Sequence, residues 1–347
     1  MASRNIIILF CLLLLTTNNF AQQIHSEKLQ SPDEFLGYEL GQKFTYHHRI
    51  AAYFNYLANS SDKMKLVRYG STPEGRPLLA AFVGSAENIK RLEAIRKYNL
   101  SLTGLEKSPA IGNPPVIVWL SYNVHGNEPA SGEAAMKILY DLANPANAHI
   151  QQWLKNTIVV IDPCLNPDGR AHYVNDYNQM GGTLPDIDSA SREHSEHWPG
   201  GRYNHYYFDL NRDWAWQVQP ESQARLALYN QWLPQIHVDF HEQNFNSPYY
   251  FAPAAEPFHK VITPWQREFQ SIIGKNNAKY FDQHGWMYFT HEEFDLLYPS
   301  YGDTYPLYNG AIGMTYEQGG INAGLSVVTR DGDTLTLADR IAHHYAS

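Results

Sequence analysis

The chain has 347 residues, of which 44% are apolar, 14% aromatic and 18% charged; this is material for a large core and excludes a disordered chain or a small disulfide scaffold. Its 26 Lys and Arg against 35 Asp and Glu give a formal net charge of −9 without a long run of one sign, so no nucleic-acid or anionic-membrane partner is expected. Residues 1–21 combine one cation, Arg4, with an apolar core from Ile6 to Leu15 and a polar end at Asn19-Phe20-Ala21. That pattern predicts a secretory signal cleaved after Ala21, too short to span a bilayer. The protein is therefore expected to be secreted or periplasmic, without stable membrane association. Cys11 leaves with the signal, so Cys164 is expected to be a lone, buried thiol.

Residues 22–34 are polar and expected to be extended, and 35–347 read as one domain. Ile50, Tyr53, Phe54 and Leu57 have helical spacing within Thr45–Ala58. Lys65–Tyr69 and Leu78–Val83 read as a hairpin around the turn-forming Ser71–Pro77, and a helix is expected at Ile89–Lys97. Pro115–Leu120 and Thr157–Ile161 are short β-branched runs, apolar on both faces, with a helical pattern at Ser131–Leu142 between them. Strand, helix, strand in this form predicts a covered, largely parallel α/β sheet. Asn166-Pro167-Asp168-Gly169 reads as a turn, and Gly169–Tyr207, rich in Gly, Asn, Asp, Ser and His, as a long surface excursion. Helices at Glu221–Leu233 and Pro264–Phe281 and strands at Ile236–Phe240 and Ala311–Tyr316 continue the alternation. A helical pattern at Leu337–Tyr345 without a Gly or Asn cap predicts that the natural chain continues. Asn59-Ser60-Ser61 and Asn99-Leu100-Ser101 match the glycosylation pattern and are read as unmodified surface loops.

The strand ending at Leu120 runs into Ser121-Tyr122-Asn123-Val124-His125-Gly126-Asn127-Glu128, placing a His and a Glu three apart at a strand mouth, where open α/β sheets bind ligands. Ile236-His237-Val238-Asp239-Phe240-His241-Glu242 ends a second strand in the same way. His237, Asp239 and His241 share one face by alternation. His241, at the terminus, is best placed to meet His125, and His237 is expected to be packed. Two His and one Glu with an open fourth position make a catalytic zinc set. Asp209-Leu210-Asn211-Arg212-Asp213 sets a guanidinium beside an amide, suited to clamping a carboxylate, with Asp209 available to orient a metal-bound imidazole. Met314-Thr315-Tyr316-Glu317 ends an apolar strand in a carboxylate, the partly dry placement a general base needs.

HGNE, NPDGR, DLNRD, DFHEQ and MTYEQ, in this order over residues 125–317, together with the stretch Tyr46–Leu142, resemble the zinc metallocarboxypeptidases related to carboxypeptidase A. The resemblance implies an α/β fold, a single-domain α/β/α sandwich with a central mixed, mostly parallel twisted sheet, in which 35–347 form the catalytic domain. It implies a secreted enzyme that hydrolyses C-terminal residues from peptides with a free C-terminal carboxylate. One zinc per chain would be held by His125, Glu128 and His241, with Asp209 behind His125, and Glu317 would be the general base for the zinc-bound water. Asn211 and Arg212 would hold the terminal carboxylate, Arg202 or its rival Arg192 would polarise the scissile carbonyl, and Tyr298 or Tyr301 would close over the substrate.

Asn127 stands where the pancreatic enzymes carry a basic residue, and Gly181–Trp198, with His194 and His197, has no placeable counterpart, so the preferred terminal side chain stays open. Two functions compete: a cell-wall peptide amidase or peptidase on the same scaffold, and a non-catalytic glycan- or peptide-binding module suggested by the aromatic-rich Trp198–Trp216.

Overall fold

The computed structural model describes residues 28–347, and the expected signal at 1–21 lies outside them. Ser31–Ser347 form one compact unit, which contains every element named below. Its strands, in chain order, are β1 Met64–Ser71, β2 Pro77–Val83, β3 Val116–Tyr122, β4 Thr157–Asp162, β5 Ile236–Asn244, β6 Tyr249–Tyr250, β7 Ala255–Phe258, β8 Tyr288–Phe289, β9 Asp295–Leu296, β10 Ile312–Ile321 and, paired with each other, β11 Ser326–Val328 and β12 Thr334–Thr336. The others build a mixed sheet of order β1-β2-β4-β3-β5-β10-β6-β8, while β7 pairs with β9. The hairpin β1–β2 joins β4 antiparallel, β4, β3, β5 and β10 run parallel, and β6 returns antiparallel on β10.

Alternation along β3 decides what each face of the sheet meets. Ile117 and Trp119 point to one side, where with Ile158 and Val160 they pack against Ile95 of the helix Leu92–Leu102 and Leu226, Tyr229 and Trp232 of the helix Pro220–Trp232. Each such fully buried side chain contributes roughly 1.5–3 kcal/mol relative to exposure. Val118 and Leu120 point to the other side, where the helices Pro129–Ala143, Pro264–His284 and Leu337–Ala346 pack on the sheet. The expected sandwich around a mixed, centrally parallel sheet is the architecture found.

Several local expectations are corrected. Asn166-Pro167-Asp168-Gly169 is a helix start: the Asn166 side chain accepts from the Gly169 N–H at 2.9 Å, and Pro167 occupies the first position of a helix running Pro167–Met180. Tyr173, Val174 and Tyr177 of that helix pack with Phe44, Ala130 and Ala134, so the irregular excursion begins only after it. The helix expected at Ile89–Lys97 is two, Ala86–Lys90 and Leu92–Leu102, with Arg91 between them. The segment 22–34 expected to be extended ends in a short helix, Pro32–Leu36, capped at its start by reciprocal Ser31 and Glu34 bonds. Neither Asn59 nor Asn99 lies in a loop. Asn59 belongs to the helix His47–Ser60, and Asn99 is buried with its amide donating to the Trp232 and Leu233 carbonyls at 2.5 and 3.0 Å.

Two buried devices fix the loop that follows β3. The Arg170 guanidinium donates to the carbonyls of Thr45 and Pro129 and to Asn123 Oδ1, and pairs with Glu133 at 2.6 Å with neither side chain exposed. Gly126 packs its backbone against Gly169 and Gly201 so closely that a Cβ there has no room.

Candidate active site

β3 and β5 are parallel neighbours with Tyr122 opposite Phe240, so the loop after Tyr122 and the end of β5 emerge together at one edge of the sheet. This brings His125, Glu128 and His241, all buried, to one point. His125 Nδ1 is 2.7 Å from Glu128 Oε1, His241 Nδ1 is 3.1 Å from Glu128 Oε2, and the two Nδ1 atoms are 3.2 Å apart. On its far side each imidazole faces a second carboxylate, His125 Nε2 at 3.0 Å from Asp209 Oδ1 and His241 Nε2 at 3.0 Å from Asp239 Oδ2. With an N–H on each Nε2, facing these carboxylates, the Nδ1 lone pairs of both rings are aimed at Glu128. Electron-rich atoms at such separations repel one another unless positive charge lies between them. A tetrahedral ion bound at about 2.0–2.1 Å spaces its ligands by roughly 3.3 Å, close to what is found, so the residues fit zinc.

The surroundings favour positive charge at this point, whether carried by an ion or by protons on the rings. Burial works against the Glu128 carboxylate, but the His125 and His241 imidazoles outweigh it and hold Glu128 well below the usual range. Asp209 is held down in the same way, against burial, by His125 and then Arg202. For His241, burial disfavours the cation, and Asp239 with Glu128 reverses that and raises it. Glu317 lies beside His241 in the parallel β10–β5 register, and burial pushes its carboxyl up to about 8, with Glu128 and Asp239 adding to the rise. Its place is mid-strand, because β10 continues to Ile321.

His125, Glu128 and Glu317 line a cleft of about 330 Å³ that Arg202, Asn211, Arg212 and Tyr301 also enter. Arg202 bonds Asp209 Oδ2 at 2.9 Å and comes within 3.5 Å of Glu128, whereas its rival Arg192 belongs to the short 3-10 turn Arg192–His194 outside the lining. Asn211 Oδ1 accepts from the Gly302 N–H at 2.8 Å. The Arg212 guanidinium lies 4.6 Å over the Tyr301 ring. Of the two candidate tyrosines, Tyr298 is outside the lining, its hydroxyl accepting from the Trp216 indole N–H at 2.7 Å, and Tyr301 is in the cleft. His237 is packed edge-on against Trp214 and Tyr229, and burial lowers it to about 3. Cys164 is buried, donates to Asn123 Oδ1 at 3.2 Å, and burial pushes its thiol up to about 12.

Sequence reasoning gave no role to Asp239 or Asp303. Asp239 was legible as the residue two before His241 on the same strand face. Asp303 carried no such signal, because it follows a stretch without periodicity; it lines the cleft, and burial pushes its carboxyl up to about 6.

A family model described as zinc carboxypeptidase matches residues 50–341. The chain belongs to the zinc carboxypeptidase family. It is 29% identical over 129 residues to the probable carboxypeptidase 2 of Arthroderma benhamiae, covering 36% of this chain and 18% of that protein. The solved metallo-carboxypeptidase of Burkholderia cenocepacia superposes with a TM-score of 0.58 at 18% identity, over 86% of this chain and 66% of that one. Carboxypeptidase A from Helicoverpa armigera gives 0.55 at 14% identity, over 99% and 80%. The chain thus spans under a fifth of its curated relative and just under two thirds of the Burkholderia structure, and these likenesses establish the zinc carboxypeptidase fold.

Proposed function

We propose that this zinc carboxypeptidase family member is an active, exported metallocarboxypeptidase that removes single residues from the C-terminus of peptides. The observation that carries the reading is the juxtaposition of the His125, Glu128 and His241 donor set with the buried Glu317 carboxylate on the neighbouring strand. Zinc in such a set supplies an acidified water and a Lewis acid for the carbonyl. The chain's own groups do the rest. Glu317, raised by burial into a range where it can exchange protons near neutrality, takes the proton of the attacking water and passes it to the departing amine. Arg202, held by Asp209, donates to the carbonyl oxygen as negative charge develops there. Arg212 and Asn211 clamp the terminal carboxylate, Tyr301 supports the guanidinium from beneath, and no acyl-enzyme is needed, so the inert Cys164 is a core thiol.

The cleft wall carries Glu293, Asp295 and Asp303, and among the described residues the Asp303 carboxylate has the Thr304 hydroxyl, at 2.9 Å, as its one side-chain hydrogen-bond partner. That charge balance favours a cationic terminal side chain. Export rests on the apolar run Ile6–Leu15 behind Arg4.

The test is incubation with a library of C-terminally varied peptides, as free acids and as amides, with and without chelator, read by mass spectrometry. Stepwise loss of single C-terminal residues from free acids, abolished by chelator and restored by zinc, is expected. Arg212→Ala should collapse the preference for free acid over amide. Internal cleavage, or equal cutting of amides by the wild type, overturns the reading.

A further inference from the structure

We propose that Trp198 and the turn Tyr203–Phe208 form a docking surface for the stretch of polypeptide substrate upstream of the cleaved residue, an inference that rests on the carboxypeptidase reading. The turn is built around Asn204, which is buried. Its Oδ1 accepts from the backbone N–H groups of Tyr206 and Phe208, both at 3.0 Å, and its Nδ2 donates to Gln219 at 2.9 Å and Glu221 at 3.2 Å. Backbone bonds from Asn204 N to Phe208 O and from Tyr207 N to Asn204 O close it. Tyr207 is held at φ +59°, a conformation bulky residues rarely adopt. The result is a fixed turn that turns its rings outward. Tyr206 and Tyr207 are each 60% exposed and Trp198 87%, with the Trp198 and Tyr207 rings 5.9 Å apart.

Single exposed aromatic residues need no explanation, but a cluster presented by a rigid backbone is the form of a contact surface. Tyr and Trp there offer large, amphipathic area at little entropic cost. Its position says what it contacts. The turn follows directly on Arg202, which reaches into the cleft, yet none of these rings lines the cleft, so only a molecule that extends out of it can meet them. For a C-terminal exopeptidase a single residue lies beyond the scissile bond, and the remainder of the substrate has to leave over the rim. Beside the turn, Glu74 pairs with Arg76 and with His205 at 3.1 Å, and the Glu196 carboxylate accepts from the Asn127 amide and the Gly201 N–H, so these groups are engaged and the surface suits an uncharged, apolar or aromatic stretch of polypeptide.

The experiment compares a blocked dipeptide with tetra- and octapeptides sharing its C-terminal pair, using wild type, Trp198→Ala and the combined Trp198→Ala, Tyr206→Ala, Tyr207→Ala chain. In wild type, KM should fall on the order of tenfold from dipeptide to octapeptide. The combined variant should lose that dependence while keeping wild-type kcat/KM on the dipeptide, and Trp198→Ala, at a solvent-exposed position, should lose part of it without any burden on folding. Adding octapeptide should also shift tryptophan emission in wild type and not in Trp198→Ala. A KM independent of length in wild type, variants that keep the length dependence, or displacement of octapeptide by oligosaccharides of N-acetylglucosamine overturns the proposal, the last outcome making this a glycan surface. Wild type inert on every peptide rejects the carboxypeptidase reading instead, and the emission shift then still decides whether polypeptide docks.

Discussion

Replacing Arg170 by Met tests whether the buried network under the loop after β3 holds the fold and, through it, the metal donors. Met fills similar space but donates nothing. It leaves Glu133, wholly buried, with only the Thr45 N–H and hydroxyl, both at 2.6 Å. Removing one partner of a buried ion pair costs about 3–5 kcal/mol, on the order of 10 °C in Tm for a domain of this size. The cost should depend on pH, with a definite sign. Burial raises the Glu133 carboxyl and Arg170 pulls it back, so without Arg170 it rises further. In the unfolded chain a Glu titrates near 4.3, so above that pH the folded variant keeps a proton that the unfolded chain has lost. Stability then falls by about 1.4 kcal/mol per pH unit until the folded carboxyl ionises. Arg170→Met should therefore be mild near pH 4.5 and severe at pH 8, and adding Glu133→Gln should recover much of the loss at pH 8. Thermal or urea unfolding of wild type, both single variants and the pair at the two pH values measures this. A loss below about 1 kcal/mol, or one equal at both pH values, refutes the reasoning.

Glu317→Gln should keep zinc at wild-type affinity and lose on the order of 10²-fold or more in kcat, measured by chelator competition and peptide turnover; near-normal turnover would move the base role to another carboxylate. Asp239→Asn should weaken zinc binding by roughly 10- to 100-fold through loss of the carboxylate behind His241, read by the same competition, and unchanged affinity would show that the His241 ring is fixed by packing alone. Asp303→Asn should lower kcat/KM for C-terminal Lys and Arg peptides by on the order of tenfold while sparing apolar termini, and equal effects on both would separate Asp303 from the terminal side chain.

What the sequence made legible was whatever depends on neighbours within one element. β-branched runs such as Thr157–Ile161 announced the buried central strands, and His125, Glu128 and His241 could be placed because they lie close after the apolar runs of β3 and β5, although β5 itself continues past His241 to Asn244. NPDG misled for a physical reason. An Asn before Pro-Asp-Gly can bond the backbone two residues on as an Asx turn or three residues on as a helix cap; here it takes the second, on the Gly169 N–H, and the packing of Tyr173 and Tyr177 against Phe44 carries the chain on as a helix. The pairing of Arg170 with Glu133 was hidden by its 37-residue separation, since nothing local marks an Arg inside a helix as buried.

The parallel register of β10 on β5 matters more to this site than any single motif. A one-residue slip of β10 on β5 would send Glu317, Thr315 and Gly313 to the face now occupied by Met314 and Tyr316, and would put Tyr316 or Gln318 opposite His241. The present register is held by packing on both faces of the sheet. Met314 and Tyr316 are buried toward the helix Pro264–His284, where Asn277 donates to the Tyr316 hydroxyl at 2.9 Å. Gly313 fits against the Asp303 backbone so closely that any side chain there would clash. The placement of the carboxylate beside the metal donors is thus set by apolar and small residues on the same strand. Substitutions at Gly313 or Tyr316 should therefore impair turnover without touching zinc, substrate or the donor set.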